Sequence, residues 1–438
     1  SGADFLRHSE LTQTGAVIMR RVAVVGGKRT PFARSFSNYM GVSNQDLMVA
    51  AVKSLVDAFQ LKDQVLGEVV LGSVIKHSSD WSFSREVTLH SGLSWQTPAY
   101  DVSQACGTSL EATIAVANKI MLGQIDCGIA GGVDSNSDLP FVFSRRFAQV
   151  MLQVNKEKTL AGKIKLFLSL RPVDLKPLMP GVVEPRSGLS MGESCEKMAK
   201  EWEIPRPEQD ALALRSHMSA TKAWQKGFYS DLVVPFNGLD TDNNVRAESS
   251  LEKMAKLKPA FDKTSGTLTA ANSSSLTDGA ACVLLASEEW AKAKGLPILA
   301  YFTHCETAAV EFLQADGLLM APAFAVPRML KRAGLKLQDF DFYEIHEAFA
   351  AQVLCTLKAW ESDEFCRTRL NLPGALGEID RTKLNVKGGS VALGHPFAAT
   401  GARIVASLAK ILSEKGSGRG LISICTGGGM GVTAILER

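Results

Sequence analysis

Four reactive side chains stand beside glycine-rich turns or at the end of an apolar stretch. Cys106 lies in QACGTSLEATIAVANKIMLG (104–123), directly before Gly107 and a run of helical spacing. His346 and Glu347 close an apolar stretch in FYEIHEAFAAQ (342–352), and His395 sits between Gly394 and Pro396 in GGSVALGHPFAATG (388–401). Cys425 follows LISI and leads into CTGGGMG (425–431). A thiol at the first turn of a helix meets free backbone N–H groups and the positive end of the macrodipole, which favour the thiolate. Gly107 would let a substrate approach the backbone. Taken alone, Cys106 also reads as a small structural hydrophobe; a nucleophile needs partners. His346, His395 and Cys425 have bland readings too, but the set is more specific than its members. The glycine N–H groups after Cys425 can form an anion nest. Two cysteines, two histidines and such a nest suggest acyl transfer through a thioester. One Cys takes the acyl group and a His activates it; the second Cys moves protons to and from a carbon acid, and the nest holds an oxyanion.

The elements that must position these groups follow from periodicity. RVAVVGGKRTPF (21–32) reads as a short buried strand broken by Gly26-Gly27 and then Pro31, and GEVVLGSVI (67–75) and DCGIAGGVDSNS (126–137) as further strands. Leu47, Ala51, Leu55 and Ala58 form one helical stripe, and Leu110, Ile114, Ala117 and Met121 another ending at Gly123. RPEQDALALRSHMSATKAWQKG (206–227) carries clear helix start and stop signals. Alternating strands and helices with short connectors predict a mainly parallel sheet covered by helices. The two ends echo each other: Cys106 precedes a helix and a strand ending AGG, while GHPFAATG precedes a helix and LISICTGGGMG. The echo predicts two related α/β halves, with the middle segment inserted in the first.

The bulk composition is that of a globular chain: 438 residues, 46% hydrophobic and 21% charged. A net charge of +3 gives no ground for nucleic acid binding. Eight scattered cysteines, with no C-x-x-C pair and no His at ligand spacing, argue against a disulfide framework and against a metal site. They fit a cytoplasmic setting. No apolar run reaches about 18 residues. Residues 1–18, ahead of Met19, lack a signal-peptide core and read as a tail. Residues 145–176 stand apart. Eight Lys/Arg against Glu157 and Asp174 give +6 in a chain totalling +3, interleaved with Val150, Leu152, Leu160, Ile164, Phe167 and Leu168. This basic amphipathic stretch is either a solvated excursion covering its own core or a surface that docks on acidic headgroups or a partner.

The set Cys106-Gly, H-E-A-F, G-H-P and C-x-G-G-G, in that order, resembles the thiolases, and the resemblance runs from VAVVGGKRTPFA to CTGGGMGV. HEAFAAQ and GHPFAATGAR are most similar to the branch holding the thiolase subunit of the trifunctional enzyme. The resemblance implies two βαβαβαββ halves in a five-layer α-β-α-β-α body with an inserted loop domain. The expected division is 19–144 plus 276–297 for the first half, 145–275 for the insertion and 298–438 for the second half. It implies thiolytic cleavage of 3-ketoacyl-CoA, or the reverse condensation, through an acyl-cysteine. Cys106 would be the nucleophile, His395 its activator, and Cys425 the acid/base. His346 and His395 would line the enolate oxyanion site, and the N–H groups of Cys106 and Gly427 a second oxyanion hole. Most thiolases carry Asn where His346 stands, so His346 would hold the ordered water or face substrate directly. Phe397, Ala398, Ala399 and Thr400 replace the usual residues after G-H-P, which leaves acyl-chain preference open. Coenzyme A, a substrate rather than a resident cofactor, would meet Met191, Arg246, Phe261, Ala270, Ser274, Ala348 and Phe349. The expected partners are acyl-CoA, a second copy of the chain in a homodimer or homotetramer, a hydratase–dehydrogenase subunit, and a membrane surface at 145–176. The rival readings are a carrier-protein ketosynthase, against which Cys425 argues, and a non-catalytic acyl-CoA carrier.

Overall fold

The computed structural model describes residues 19–181 and 183–438; the expected tail at 1–18 lies outside the described residues. The first half runs β1 (Val22–Arg29), β2 (Ala33–Arg34), α1 (Asn44–Ala58), β3 (Glu68–Leu71), α2 (Phe83–His90), β4 (Ala99–Asp101), α3 (Thr108–Met121) and β5 (Cys127–Asp134). An insertion follows with α4 (Arg145–Lys156), α5 (Leu160–Leu168), α6 (Met191–Glu201), α7 (Arg206–Gln225) and α8 (Leu251–Ala255), before β6 (Thr277–Ser287) and α9 (Glu288–Ala293) close the half. The second half runs β7 (Ala300–Ala309), α10 (Ala321–Ala333), β8 (Phe342–Ile345), α11 (Ala350–Glu361), α12 (Asp363–Thr368), α13 (Ser390–Leu393), α14 (Thr400–Lys415), β9 (Arg419–Thr426) and β10 (Met430–Glu437).

Alternation along the strands assigns their two faces to different cores. In β3, Val69 and Leu71 join Leu47, Met48, Ala51 and Leu55 of α1, whereas Val70 joins α3. Ile422, Ile424, Val432 and Ala434 of the second half enter the same central core as α3 and α14. The opposite faces of β8, β9 and β10 pack with α10 and α11. The layers are therefore outer helices, strands, the α3–α14 pair, strands and outer helices, the five-layer arrangement expected. Cys106 and His395 precede the two central helices, which is why the reactive groups meet at one end of the middle layer.

Three expectations need correction. The sheet is mixed: only β3–β4, β3–β5 and β8–β9 are parallel, and β1, β6, β7, β9 and β10 pair antiparallel. Each half ends on antiparallel strands, and a β1–β7 seam joins both into one sheet of order β4-β3-β5-β6-β1-β7-β10-β9-β8. Next, β1 is not broken at Gly26-Gly27 but passes through them with a bulge after Val24. The glycines serve packing, since a Cβ on Gly26 would lie 2.5 Å from the Phe59 ring and one on Gly27 2.6 Å from Ala406 Cβ. Finally, the second half lacks a full third strand, which shrinks to one bridge between Tyr343 and Leu384. Asn385, at φ +48°, turns the chain away and substitutes its side chain for the strand. Its Nδ2 donates to Ile345 O at 2.9 Å and its Oδ1 accepts from Ile345 N–H at 3.0 Å.

Within the insertion, α6 packs on α11, and α7 packs on α13. The basic stretch forms α4 and α5, which pack on each other. The pair does not build a core of its own: α4 buries only Val150 and Val154, and α5 buries no side chain. Leu152, Leu160, Ile164, Phe167 and Leu168 remain 46–80% exposed.

Candidate active site

Cys106 sits one residue before the cap of α3, not in its first turn, because Gly107 is the N-cap. Ala105 holds a left-handed φ of +45°, a conformation that costs a residue with a Cβ about 1 kcal/mol or more. Thr108 pins this elbow: its Oγ1 donates to Ala105 O at 2.7 Å and accepts from Gln104 N–H at 2.8 Å. Gly107 serves packing rather than substrate approach, since a Cβ there would meet Val432 at 2.8 Å and Thr426 at 3.0 Å.

His395 meets this sulfur directly, with Nε2 3.2 Å from Cys106 Sγ. Two threonines aim the ring. The backbone N–H of His395 donates to Thr277 Oγ1 at 2.6 Å, and its Nδ1 lies 2.6 Å from Thr400 Oγ1. The Thr400 hydroxyl donates to Pro396 O at 3.4 Å, so its lone pairs are free to accept the Nδ1 proton. A proton on Nδ1 puts the Nε2 lone pair toward the thiol. Gly394, at φ +105°, is required by the turn and by the approach of Thr277, 2.8 Å from where its Cβ would stand.

The His346 ring stands 4.2 Å from the His395 ring, centroid to centroid. Its Nδ1 bonds Ser390 Oγ at 2.8 Å, while its buried Nε2 has no partner among the described residues. The donor atoms of Cys106, His346 and His395 all fall within 4.8 Å of one another. Cys425, at the end of β9, is buried beside Cys106; burial and the Cys106 sulfur both oppose its ionisation. The backbone N–H groups of Gly427 and of Cys106 itself favour charge on the Cys106 sulfur. Around Gly427 the space is open, with Ala105 and Met191 Sδ both 3.8 Å from a Cβ built there. Glu347 stays out of this cluster and anchors the loop ahead of α13. It accepts from Ser216 Oγ at 2.7 Å, Asn385 Nδ2 at 2.6 Å and Val391 N–H at 3.2 Å.

The electrostatics correct the expectation of a resting thiolate. Burial pushes the Cys106 thiol up to about 12, outweighing the N–H groups of Gly427 and Cys106. Burial, aided by the Arg403 cation, brings the His395 imidazole down to about 3. Both shifts favour a neutral thiol–imidazole pair.

The residues expected along coenzyme A divide into two groups. Arg246 lines a cavity of about 400 Å³ with Glu248, Lys253, Met254, Leu257 and Ala271. Its N–H donates to His217 Nδ1 at 3.2 Å, and burial brings His217 down to about 4. Ala270 is exposed beside Ala271. Phe261 stands outside that cavity's lining, edge-on to Phe349 at 5.8 Å and pressed over Gly192, next to Met191. Ser274 donates both its N–H and its hydroxyl to Ala348 O, at 3.0 and 2.9 Å, so its hydroxyl is left only as an acceptor. Sequence reasoning missed Thr277, Thr400, Ser390 and Arg403. Only Thr400, at a helix start just after G-H-P, carried a local signal.

Residues 22–289 match the family described as "Thiolase, N-terminal domain" and residues 296–438 the "Thiolase, C-terminal domain". A 3-ketoacyl-CoA thiolase of Yersinia pestis is 44% identical over 423 residues, covering 95% of this chain and 97% of that protein. The Bacillus anthracis acetyl-CoA acetyltransferase structure superposes with a TM-score of 0.80 at 31% identity, covering 96% of this chain and 99% of the other. Human mitochondrial 3-ketoacyl-CoA thiolase in complex with CoA superposes at 0.79 and 29% identity, over 96% and 98% of the two chains.

Proposed function

This chain belongs to the thiolase family, and from that premise we propose the following path through its own residues for the acyltransferase reaction, CoA-dependent cleavage of 3-ketoacyl-CoA. Cys106 passes its proton to His395 Nε2 as the sulfur attacks the 3-keto carbon. The bond between C2 and C3 breaks, leaving an acyl-Cys106 thioester and the enolate of acetyl-CoA. His346 Nε2–H and the now protonated His395 hold the enolate oxygen, and Cys425 delivers a proton to C2. The thiol of a second CoA then gives its proton to the Cys425 thiolate and attacks the acyl group. The N–H groups of Cys106 and Gly427 hold the tetrahedral oxyanion. Acyl-CoA leaves, and Cys106 recovers its proton from His395. Fixed donors aimed at developing charge in a buried site supply roughly 3–4 kcal/mol apiece in comparable oxyanion holes. The observation that carries this reading is the 3.2 Å contact between Cys106 and His395 with Cys425 beside the same sulfur.

Arg246 and Lys253, which line their cavity, suit the phosphates of the CoA nucleotide. Met191, Ser274, Ala348 and Phe349, with Phe261 behind them, suit pantetheine on its way to Cys106. Supplying 3-ketoacyl-CoA substrates of short and long chain with free CoA should yield acetyl-CoA and an acyl-CoA two carbons shorter. Absence of product from every chain length would overturn the reading, and turnover only on a carrier protein would favour a ketosynthase.

Two surfaces suit the expected partners. Among the described residues β4 ends the sheet with one edge unpaired; Tyr100 on it is exposed, as is Trp81, two residues before Phe83, whose N–H bonds Asp101 of β4. An open edge with aromatic neighbours suits pairing with a second copy of the chain. The α4–α5 hairpin presents Leu160, Ile164, Phe167 and Leu168 among Lys163 and Lys165, which suits an anionic membrane surface. Among the described residues, no helix is long and apolar enough to cross a membrane. The protein should float with anionic phospholipid vesicles and not with neutral ones, and Ile164→Asp with Phe167→Asp should abolish flotation at unchanged turnover. Flotation with neither vesicle type, alongside capture of a hydratase–dehydrogenase subunit, would reassign the hairpin to a protein partner.

A further inference from the structure

The two histidines at the reactive sulfur need opposite tautomers: His395 must offer a lone pair at Nε2, His346 a proton there. The same helix, α14, supplies the partner that settles each. Thr400, its first residue, takes the Nδ1 proton of His395, as described. Arg403, three residues later and on the same face, reaches the other ring through an intermediary. Its Nη2 donates to Ser390 Oγ at 2.7 Å, and Ser390 Oγ stands 2.8 Å from His346 Nδ1.

Arginine has donors only, so it occupies a lone pair of the Ser390 hydroxyl. The hydroxyl proton must then point elsewhere, and His346 Nδ1 is the acceptor within reach. We infer that Ser390 is a positioning residue which, held by the Arg403 guanidinium, donates to His346 Nδ1 and so keeps His346 as the Nε2–H tautomer. Three observations agree. Nε2 of His346 is buried without a partner among the described residues, as a donor reserved for substrate would be. Ser390 opens α13, whose first turn is clamped by Glu347 through Val391 N–H, fixing the hydroxyl's origin. Arg403 is itself buried and held 3.8 Å from Glu344, which fixes the origin of its own donor. In the other tautomer, the Nε2 lone pair would face the enolate oxygen and repel it.

This inference rests on the reading of His346 as a donor to the enolate oxygen. Its test combines ¹⁵N spectroscopy of the histidine rings with kinetics. The intact protein should show His346 protonated at Nε2, assigned by its loss in His346→Asn. Ser390→Ala should mix the tautomers and lower kcat about 10- to 100-fold, short of losing an oxyanion donor outright, with KM for acyl-CoA little changed. Ser390→Thr, which keeps the hydroxyl, should restore both. In the His346→Asn background Ser390→Ala should cost nothing further in kcat, because an amide N–H donates regardless of Ser390; a merely structural role would cost the same in both backgrounds. An unaltered tautomer in Ser390→Ala would overturn the role of Ser390 alone. An altered tautomer with undiminished kcat would remove His346 from the enolate site, and the inference with it.

Discussion

Replacing Cys106 by alanine should lower thiolysis by about 10⁴–10⁶-fold, the loss expected when an obligatory nucleophile is removed. No other group in the pocket can take its place. Cys425 is buried at the end of β9 with its ionisation opposed both by burial and by the neighbouring sulfur. His395 and His346 are each held by a second bond that fixes ring direction. The fold should survive, because Cys106 lies outside α3 and its elbow is held by Thr108 rather than by the sulfur. Cys106→Ser should fare little better: a hydroxyl ionises less readily than a thiol, and burial already presses this position toward its neutral form. A fall of less than about a hundredfold in Cys106→Ala, with the melting temperature unchanged, would mean that another group carries the acyl chain.

Replacing Cys425 by alanine should separate the two kinds of chemistry. The α-carbon of a thioester is a far weaker acid than a thiol, so proton transfer at C2 depends on a placed base more than acyl transfer between sulfurs does. Exchange of the acetyl-CoA methyl protons with deuterated water should fall about 10²–10⁴-fold, the usual worth of a positioned acid or base. Acylation of Cys106 by acetyl-CoA should persist, since His395 still takes the Cys106 proton across 3.2 Å. Equal loss of exchange and acylation would place Cys425 in support of Cys106 rather than at the carbon. Undiminished exchange would remove it from the reaction.

These expectations rest on side chains of unequal visibility in the sequence. Cys106 and His395 were legible because each is flanked by glycine or proline, and Cys425 because a glycine run begins two residues after it; a backbone forced into a special shape around a reactive group leaves a local trace. His346 was legible for a related reason, as polar residues at the end of an apolar strand. Their positioning residues were not. Thr277 reaches His395 from 118 residues away, and Ser390 reaches His346 from 44. Such pairings depend on how β6 and α13 are stacked beside α14, which periodicity does not encode. The strained elbow at Ala105 was hidden because alanine is an unexpected residue at positive φ. Gly26, Gly27 and Gly107 were legible as special but not in their purpose: each makes room for a neighbour that only the layered packing identifies. The five layers followed from the strand–helix rhythm and the family likeness. The mixed pairing did not, since β1 meets β6 and β7 across more than 250 residues of chain. The resting charge of Cys106 was misjudged for the same reason, because helix position is local and burial is not.

The most direct measurement is the mass of the peptide containing Cys106 after brief incubation of the protein with acetyl-CoA and an acid quench. The account predicts one acetyl group on that sulfur, removed when free CoA is added before the quench. An acetyl group on a different residue, or an unmodified Cys106 in protein that turns over normally, would contradict it.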